Sequence, residues 1–271
     1  MGVCLNKSEL LEKIQLKIGK YYHDYYWREL GHKNWEIMVE ARKKEDETLG
    51  QRSVDWVRDW IPGDISNGKV LIVGAGTGAE TVSFSKGASH VTALEPSTDA
   101  CSIIEDKVEY YDIRNVTVDC GFAEELKYND GEFDLVVCIT VLEHTQNPMK
   151  CIDEMVRVLK SKKWMLLVTP EYFGLHEQHY KRNLPLFLPK FFIKMYLKYL
   201  GRPYKFIDTL QFVTYKMLRD KFCKMPVNAF FRHYPWPEGW VNGSFKMGHQ
   251  SYLFGKFFKT QRDQYWLIQK I

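Results

Sequence analysis

Val70-Leu-Ile-Val-Gly74-Ala-Gly76-Thr-Gly78-Ala-Glu80 is the stretch that decides the fold. Four consecutive apolar residues, two of them valine, have the texture of a strand buried on both faces. Glycines then stand on alternate positions, where the backbone can take positive φ and approach a ligand closely, and a helix begins just beyond. A free helix N-terminus offers N–H groups and a positive dipole end, so a nucleotide-like cofactor is implied. Gly74-x-Gly76-x-x-Ala79 also satisfies the dinucleotide pattern, so this loop alone leaves the cofactor open. Glu95, closing Val91-Thr-Ala-Leu-Glu95-Pro96 about one βα unit later, can accept both hydroxyls of a ribose.

Outward from this loop, the apolar runs Val70 to Val73, His90 to Leu94, Val116 to Val118, Phe133 to Ile139 and Trp164 to Val168 alternate with helical or turn segments. That rhythm predicts an α/β fold: a doubly wound, Rossmann-like, seven-stranded and mostly parallel sheet. Pro148 starts a helix whose Met149, Ile152, Met155, Val156 and Leu159 share one face. One catalytic domain is expected, with N-terminal helices (1–62) covering the cofactor site, a core (63–170), a helical acceptor cap inserted after the fifth strand (171–240) and a return to the sheet (241–271). The last strand is placed at Tyr265 to Gln269. In the N-terminal region Leu10, Leu11, Ile14, Leu16 and Ile18 form one apolar stripe. Val54, Trp56, Val57, Trp60 and Ile61 form another, with the aromatic run Tyr21 to Trp27 and the charged Arg42 to Glu47 between them.

The 271 residues, 45% hydrophobic and 27% charged, exclude a disordered chain and a disulfide-stapled mini-protein. Six cysteines without a CxxC pair read as free thiols of a reducing compartment. Lys and Glu recur where a signal peptide needs an apolar stretch, and Asn6 replaces the Ser or Thr of a myristoylation site, so a cytoplasmic protein is expected. The net charge of +4 conceals an asymmetry: residues 1–180 carry 21 Lys and Arg against 30 Asp and Glu, or −9, and residues 181–271 carry 17 against 4, or +13. A basic C-terminal third suggests an anionic partner.

Further along stand Asp119-Cys-Gly121-Phe122-Ala123-Glu124-Glu125-Leu126 and Asp130-Gly-Glu-Phe133-Asp134-Leu-Val-Val-Cys138-Ile-Thr-Val-Leu142-Glu143-His144, with Pro148 four residues on. With the glycine loop and the spaced acid, these resemble the motifs of class I S-adenosylmethionine (SAM) dependent methyltransferases, over roughly residues 50 to 170. The likeness is nearest to the type-11 small-molecule group, which includes quinone-biosynthesis and glycan-cluster enzymes. The resemblance implies SAM as cofactor. It implies that Gly74, Ala75, Gly76 and Gly78 pack against the methionine part and ribose, and that Glu95 holds the ribose hydroxyls. Pro96 and Phe122 would sandwich adenine in a loop begun by Gly121, the Ala123 backbone would reach a ring nitrogen, and Ile139 and Thr140 would lie beside the sulfonium. Phe122 occupies the place where such enzymes usually carry an Asp for the adenine amino group, so either Glu124 substitutes or the ring is held by packing.

Methyl transfer needs an aligned nucleophile, exclusion of water and, for a hydroxyl, a base. Candidate bases are His144, His176 and His179, with Glu143, Glu171 and Tyr180 nearby. Pro170-Glu171-Tyr-Phe-Gly-Leu-His176-Glu177-Gln-His179-Tyr180 follows the fifth strand, at the sheet edge where substrates bind in open α/β folds. No metal site is expected, because the histidines come without cysteine or an HExxH helix. Lys190, Lys194 and Lys198 recur on a helix otherwise rich in Phe, Met and Tyr, a cationic amphipathic pattern that suggests a lid with a solvated lysine stripe. Residues 188–200 are also the expected place of peripheral membrane contact; the lysines break the apolar run, so it does not span one.

The acceptor expected is a small molecule, a hydroxyl of a sugar, glycolipid or related metabolite, anionic or lipid-linked. Nucleic acid is the weaker partner: an RNA methyltransferase is an alternative favoured only by the basic C-terminal third. A catalytically silent SAM-fold binding or regulatory protein is the other.

Overall fold

The structure is a computed structural model describing residues 6–63, 66–172, 176–232, 241–242 and 263–271. Cys4, residues 173–175 of the acceptor segment, and the cap and return beyond Arg232 up to Asp263, other than 241–242, lie outside the described residues. The chain divides into two units, Met1–Phe122 and Ala123–Ile271.

In the first unit, β1 (Lys69–Val73), β2 (His90–Glu95) and β3 (Val116–Cys120) are hydrogen-bonded in the order β3-β2-β1 with parallel pairing. Val70, Leu71, Ile72 and Val73 are all buried, as an inner parallel strand requires. Helices α3 (Ala79–Ser85) and α4 (Thr98–Tyr110) make the crossovers. Ser97 caps α4, its side chain accepting from the Ala100 N–H.

Two helices precede the sheet. Asn6 and Glu9 form a capping box that starts α1 (Lys7–His23), which runs on as a π-helix over Asp24–Glu29. Only Leu10, Ile14 and Ile18 of the expected stripe turn inward, packing with Ile103 of α4; Leu11 and Leu16 face solvent because they lie off the i, i+4, i+8 line. Lys13 and Lys17 close the contact from the side by donating to the Asp106 carboxylate at 2.7 and 2.5 Å. The aromatic run and the charged segment do not separate the helices as expected. The first continues α1, and the second lies inside α2 (Trp35–Trp60). Gly50 lets α2 approach α3: a Cβ there would stand 2.1 Å from the Ala79 carbonyl oxygen.

The second unit contains β4 (Phe133–Ile139), α5 (Pro148–Val158), β5 (Leu159–Pro170), the short ribbon β6 (His176–Glu177) and β7 (Arg182–Asn183), α6 (Lys190–Tyr199), α7 (Phe206–Thr209), α8 (Tyr215–Phe222), β8 (Val227–Arg232), β9 (Val241–Asn242) and β10 (Asp263–Lys270). Its sheet order is β4-β5-β10-β8-β9; β4 and β5 are parallel, and β10 is antiparallel to both β5 and β8. Helix α5 buries Ile152, Met155 and Val156 as its sequence pattern requires.

The fold is α/β, doubly wound and Rossmann-like. Among the described residues seven strands have five residues or more, and β9 adds a two-residue edge. Two expectations are corrected. The chain rejoins the sheet at Val227 rather than near residue 241: Pro226 ends the preceding segment, and the strand Val227–Arg232 was hidden in an aromatic-rich stretch. Cys101 and Cys120 are not free thiols but are joined as a disulfide, Cα atoms 6.4 Å apart, because α4 lies alongside β3; 19 residues of separation conceal that proximity in the sequence. Cys138, Cys151 and Cys223 are free.

Candidate functional site

In the first unit the glycine loop has the shape its composition demands. Gly74, Gly76 and Gly78 sit at φ of 68°, 52° and 88°. The Gly74 and Ala75 N–H groups donate to the Leu94 carbonyl, tying the loop to the end of β2. A Cβ on Gly76 would meet nothing within 4 Å, so that face of the loop is open to a ligand. A Cβ on Gly78 would meet Ile104 at 3.0 Å, so Gly78 serves packing on α4.

Glu95 is buried at the end of β2 and accepts from the Gly76 N–H at 2.9 Å and the Ser97 N–H at 3.0 Å. Burial raises its pKa, opposed by those two N–H donors. Each carboxylate oxygen thus holds one backbone donor and keeps a second lone pair for a hydroxyl. Pro96 is exposed, Gly121 half-buried, and Phe122 leaves 62% of its surface exposed, so its ring is not part of the core.

Ser97, whose N–H donates to Glu95, lines a cavity of about 480 Å³, within the ~300–1,000 Å³ range of small-molecule sites. Lys17, Tyr21 and Tyr25 line it from α1 and the π-helix, and Ser97, Asp99 and Ser102 from α4. The sequence does not single out Tyr21 and Tyr25, since an aromatic run carries no hint of which rings face inward. Burial and then the Glu95 charge hold the Tyr21 phenol above its ordinary range, which keeps it a neutral donor.

In the second unit, Ala123 is buried, Ile139 half-buried at the end of β4, and Thr140 exposed with φ of 54°, a strained conformation for a β-branched residue. Glu124 Oε1 accepts from the Gln146 and Asn147 N–H groups at 2.7 and 3.2 Å and so holds the turn before α5.

That turn carries Glu143 and His144 on a single 3-10 turn, Leu142–His144. Glu143 is completely buried; its Oε2 accepts from the Thr169 hydroxyl at 3.1 Å, and its Oε1 has no hydrogen-bond partner. His179 Nδ1 lies 2.5 Å from Glu177 Oε1, and Glu177, itself buried, is fixed by the Tyr180 N–H at 2.7 Å. The Nε2 atoms of His179 and His144 face each other at 3.3 Å. Burial pushes Glu143 up to about 7, against the pull of His179, and pushes His144 down to about 4. For His179 burial pulls downward, but the hydrogen bond and charge of Glu177 outweigh it and the net shift is upward. Glu143, His144 and His179 offer three ligand atoms within 4.8 Å of one another, where no metal-binding group was expected.

His176 stays outside this group, its Nδ1 3.4 Å from Asn183 Oδ1 on the β6-β7 ribbon. Glu171 is also spent structurally, accepting from the Tyr215 N–H. The solvated lysine stripe is corrected at two of its three positions, Lys198 being exposed as expected. Lys190 donates to the Leu210 carbonyl over the Phe212 ring, and Lys194 pairs with Asp208 at 2.6 Å over Tyr204. Ile193 and Leu197 are buried, and Phe187, Phe191, Phe192, Met195 and Tyr199 face solvent. Among the described residues no helix is long and apolar enough to cross a membrane.

Residues 71–167, the span from the glycine loop to β5, match the methyltransferase domain model of the type-11 family. A demethylmenaquinone methyltransferase of Alkalihalophilus pseudofirmus is 30% identical over 164 residues, covering 55% of this chain and 67% of that protein. The chain belongs to the class I SAM-dependent methyltransferases. SAM is the cofactor of that family. A ubiquinone biosynthesis O-methyltransferase of Dechloromonas aromatica is 28% identical over 148 residues, covering 52% of this chain and 59% of that protein. The crystal structure of YcgJ from Bacillus subtilis shares the fold with a TM-score of 0.53 at 15% identity, over 82% of this chain and 99% of that one. The chain spans 40%, 59% and 47% of the lengths of three curated relatives it matches, that Dechloromonas protein among them.

Proposed function

We propose that this chain transfers a methyl group from SAM to a hydroxyl of a small molecule, with His179, backed by Glu177, removing the hydroxyl proton. The observation that carries the reading is the buried Glu177–His179 dyad, whose Nδ1 contact orients the imidazole so that its other nitrogen faces outward from the carboxylate. It lies in the segment that follows β5, the ligand edge of an open α/β sheet. His144 faces His179 across the two Nε2 atoms, and the role of base does not extend to His176, which is paired with Asn183.

SAM supplies an activated methyl on a sulfonium, so the chain has to bind, orient and deprotonate. Gly76 presents the open face of the loop, Gly74, Ala75 and Gly78 give the loop its shape, and Glu95 accepts from the ribose. Pro96 and Phe122 hold adenine by packing, with Gly121 forming their loop. The family resemblance adds Ala123, Ile139 and Thr140. The N-terminal helices cover the cofactor, a role supported by the cavity that α1 lines beside Ser97.

The acceptor we infer is a sugar, glycolipid or related lipid-linked metabolite of the cytoplasmic side. Two observations favour lipid linkage: the exposed aromatic face of α6, suited to lie in a membrane interface over residues 188–200, and relatives named for quinone synthesis. Calorimetry with S-adenosylhomocysteine and NAD, followed by transfer of labelled methyl to a panel of sugar, glycolipid and quinol hydroxyls, tests the reading. Binding of NAD without S-adenosylhomocysteine overturns it; transfer to RNA alone would replace the acceptor class.

A further inference from the structure

We propose that Glu143, His144 and His179 bind one divalent transition-metal ion of the zinc type, with Glu177 holding His179 from behind. Ligand atoms bonded at ~2.0–2.2 Å in a tetrahedral zinc site stand roughly 3.3–3.6 Å apart. The two imidazole Nε2 atoms are 3.3 Å apart, Glu143 Oε1 is 4.0 Å from His144 Nε2, and the three ligand atoms all fall within 4.8 Å.

A second observation points the same way independently. Glu143 is completely buried, with Thr169 on Oε2 and nothing on Oε1. A buried carboxylate oxygen without a donor is costly, and a cation beside it removes the cost. Glu177 Oε1, 2.5 Å from His179 Nδ1, places the proton on that nitrogen and directs the Nε2 lone pair toward His144. This is the carboxylate–imidazole support that metal-bound histidines have, and the Tyr180 N–H anchors the carboxylate in turn.

Two imidazoles and one carboxylate suit zinc, cobalt, nickel or iron better than magnesium or calcium. Three protein ligands leave a position for an acceptor oxygen, as in catalytic zinc sites. Coordination there would lower the acceptor's pKa so that its proton passes to solvent; His179 is the base in the metal-free chain and a ligand in the metal-bound one. This use of the ion rests on the methyl-transfer reading; its binding does not.

The test is titration of chelator-treated full-length protein with Co²⁺, read by visible absorption and calorimetry, then displacement by Zn²⁺. One equivalent of Co²⁺ is expected, in a low-symmetry site with intense visible bands. His144→Ala, His179→Ala and Glu143→Gln should each weaken binding by about 100-fold or more, and Glu177→Gln by ~10- to 100-fold. His90→Ala, an imidazole in the other unit, should change nothing. S-adenosylhomocysteine affinity, unchanged across the variants, separates ligand loss from misfolding, and Glu143→Gln preserves shape should the alanine variants fail to fold. Absence of stoichiometric binding in the wild type, or binding kept within about threefold in all three ligand variants, overturns the metal site. A bound metal without methyl transfer to any acceptor leaves the site standing and sinks the methyl-transfer reading.

Discussion

The glycine loop and the histidine cluster satisfy their polar groups in opposite ways. Around Glu95 each carboxylate oxygen receives a backbone N–H, one from Gly76 in the glycine loop and one from Ser97 two residues on, so the acid is positioned before any ligand arrives. Around Glu143 one oxygen is satisfied by Thr169, 26 residues away, and the other by nothing. A site that recognises a constant cofactor can be built from backbone donors at neighbouring strand ends. One that removes a proton or holds an ion must leave a buried group wanting, and only distant packing can bury it.

The sharpest way to break this contrast is His179→Ala. With the second unit doing the chemistry, kcat should fall ~10²- to 10⁴-fold and S-adenosylhomocysteine affinity should stay put. Equal loss of both, seen by calorimetry beside the kinetics, would mean the two regions are not divided as described.

Glu95→Ala probes the other side. Losing two charge-assisted hydrogen bonds should cost ~1.5–3 kcal/mol of S-adenosylhomocysteine binding, with the Gly76 and Ser97 N–H groups released as well. An unchanged dissociation constant would show that the acid serves the loop alone.

Phe122 separates stacking from hydrogen bonding in the same region. Phe122→Ala should weaken S-adenosylhomocysteine by ~0.5–1.5 kcal/mol, whereas Phe122→Asp should cost less by offering the adenine amino group an acceptor. A large drop in unfolding temperature in both variants would instead assign the ring to the core.

The smallest effect tests how the second unit treats a carboxylate that is fully partnered. Glu154 accepts from both Arg157 Nε and an Arg157 terminal nitrogen at 2.8 Å and from the Leu126 N–H at 2.9 Å; the Arg157 hydrogen bond, against a smaller burial effect, lowers its pKa. A folded pKa below the unfolded one means stability that is present above the ordinary glutamate range and lost as pH falls through the folded value. Glu154→Gln should therefore cost up to ~1 kcal/mol at neutral pH and flatten the loss of thermal stability below about pH 4.3. An acid limb unchanged in slope would remove the pair from the balance.

Some elements were legible because their cause is local. Phe133 to Ile139 was bounded to the residue, since Gly131 and Thr140 flank a run with no polar interruption but Asp134. The helix from Pro148 began where proline can begin one, and ended a residue early because Leu159 belongs to β5. Val227–Arg232 was missed because two adjacent phenylalanines read equally well as cap or strand, and only pairing with β10 decides between them. On α6 the lysines were assigned to solvent from composition. A helix's apolar and basic residues tell its two faces apart but not which face has a neighbour, and here Asp208 and the Leu210 carbonyl were waiting on the lysine side.

The sequence by itself determined the strand–glycine–helix loop, the acid at the end of the next strand, the alternation of strands and helices and the family, since each depends on residues a few positions apart whose backbone preferences are their own. Tertiary structure alone decided that Cys101 meets Cys120, that Tyr21 lines a cavity, that His179 and not His176 joins His144, and that Glu143 is buried with an unpaired oxygen. Those facts depend on segments 19 or more residues apart closing on one another, and burial, which sets both their proximity and their charge, is a property of the packed chain and of no residue within it.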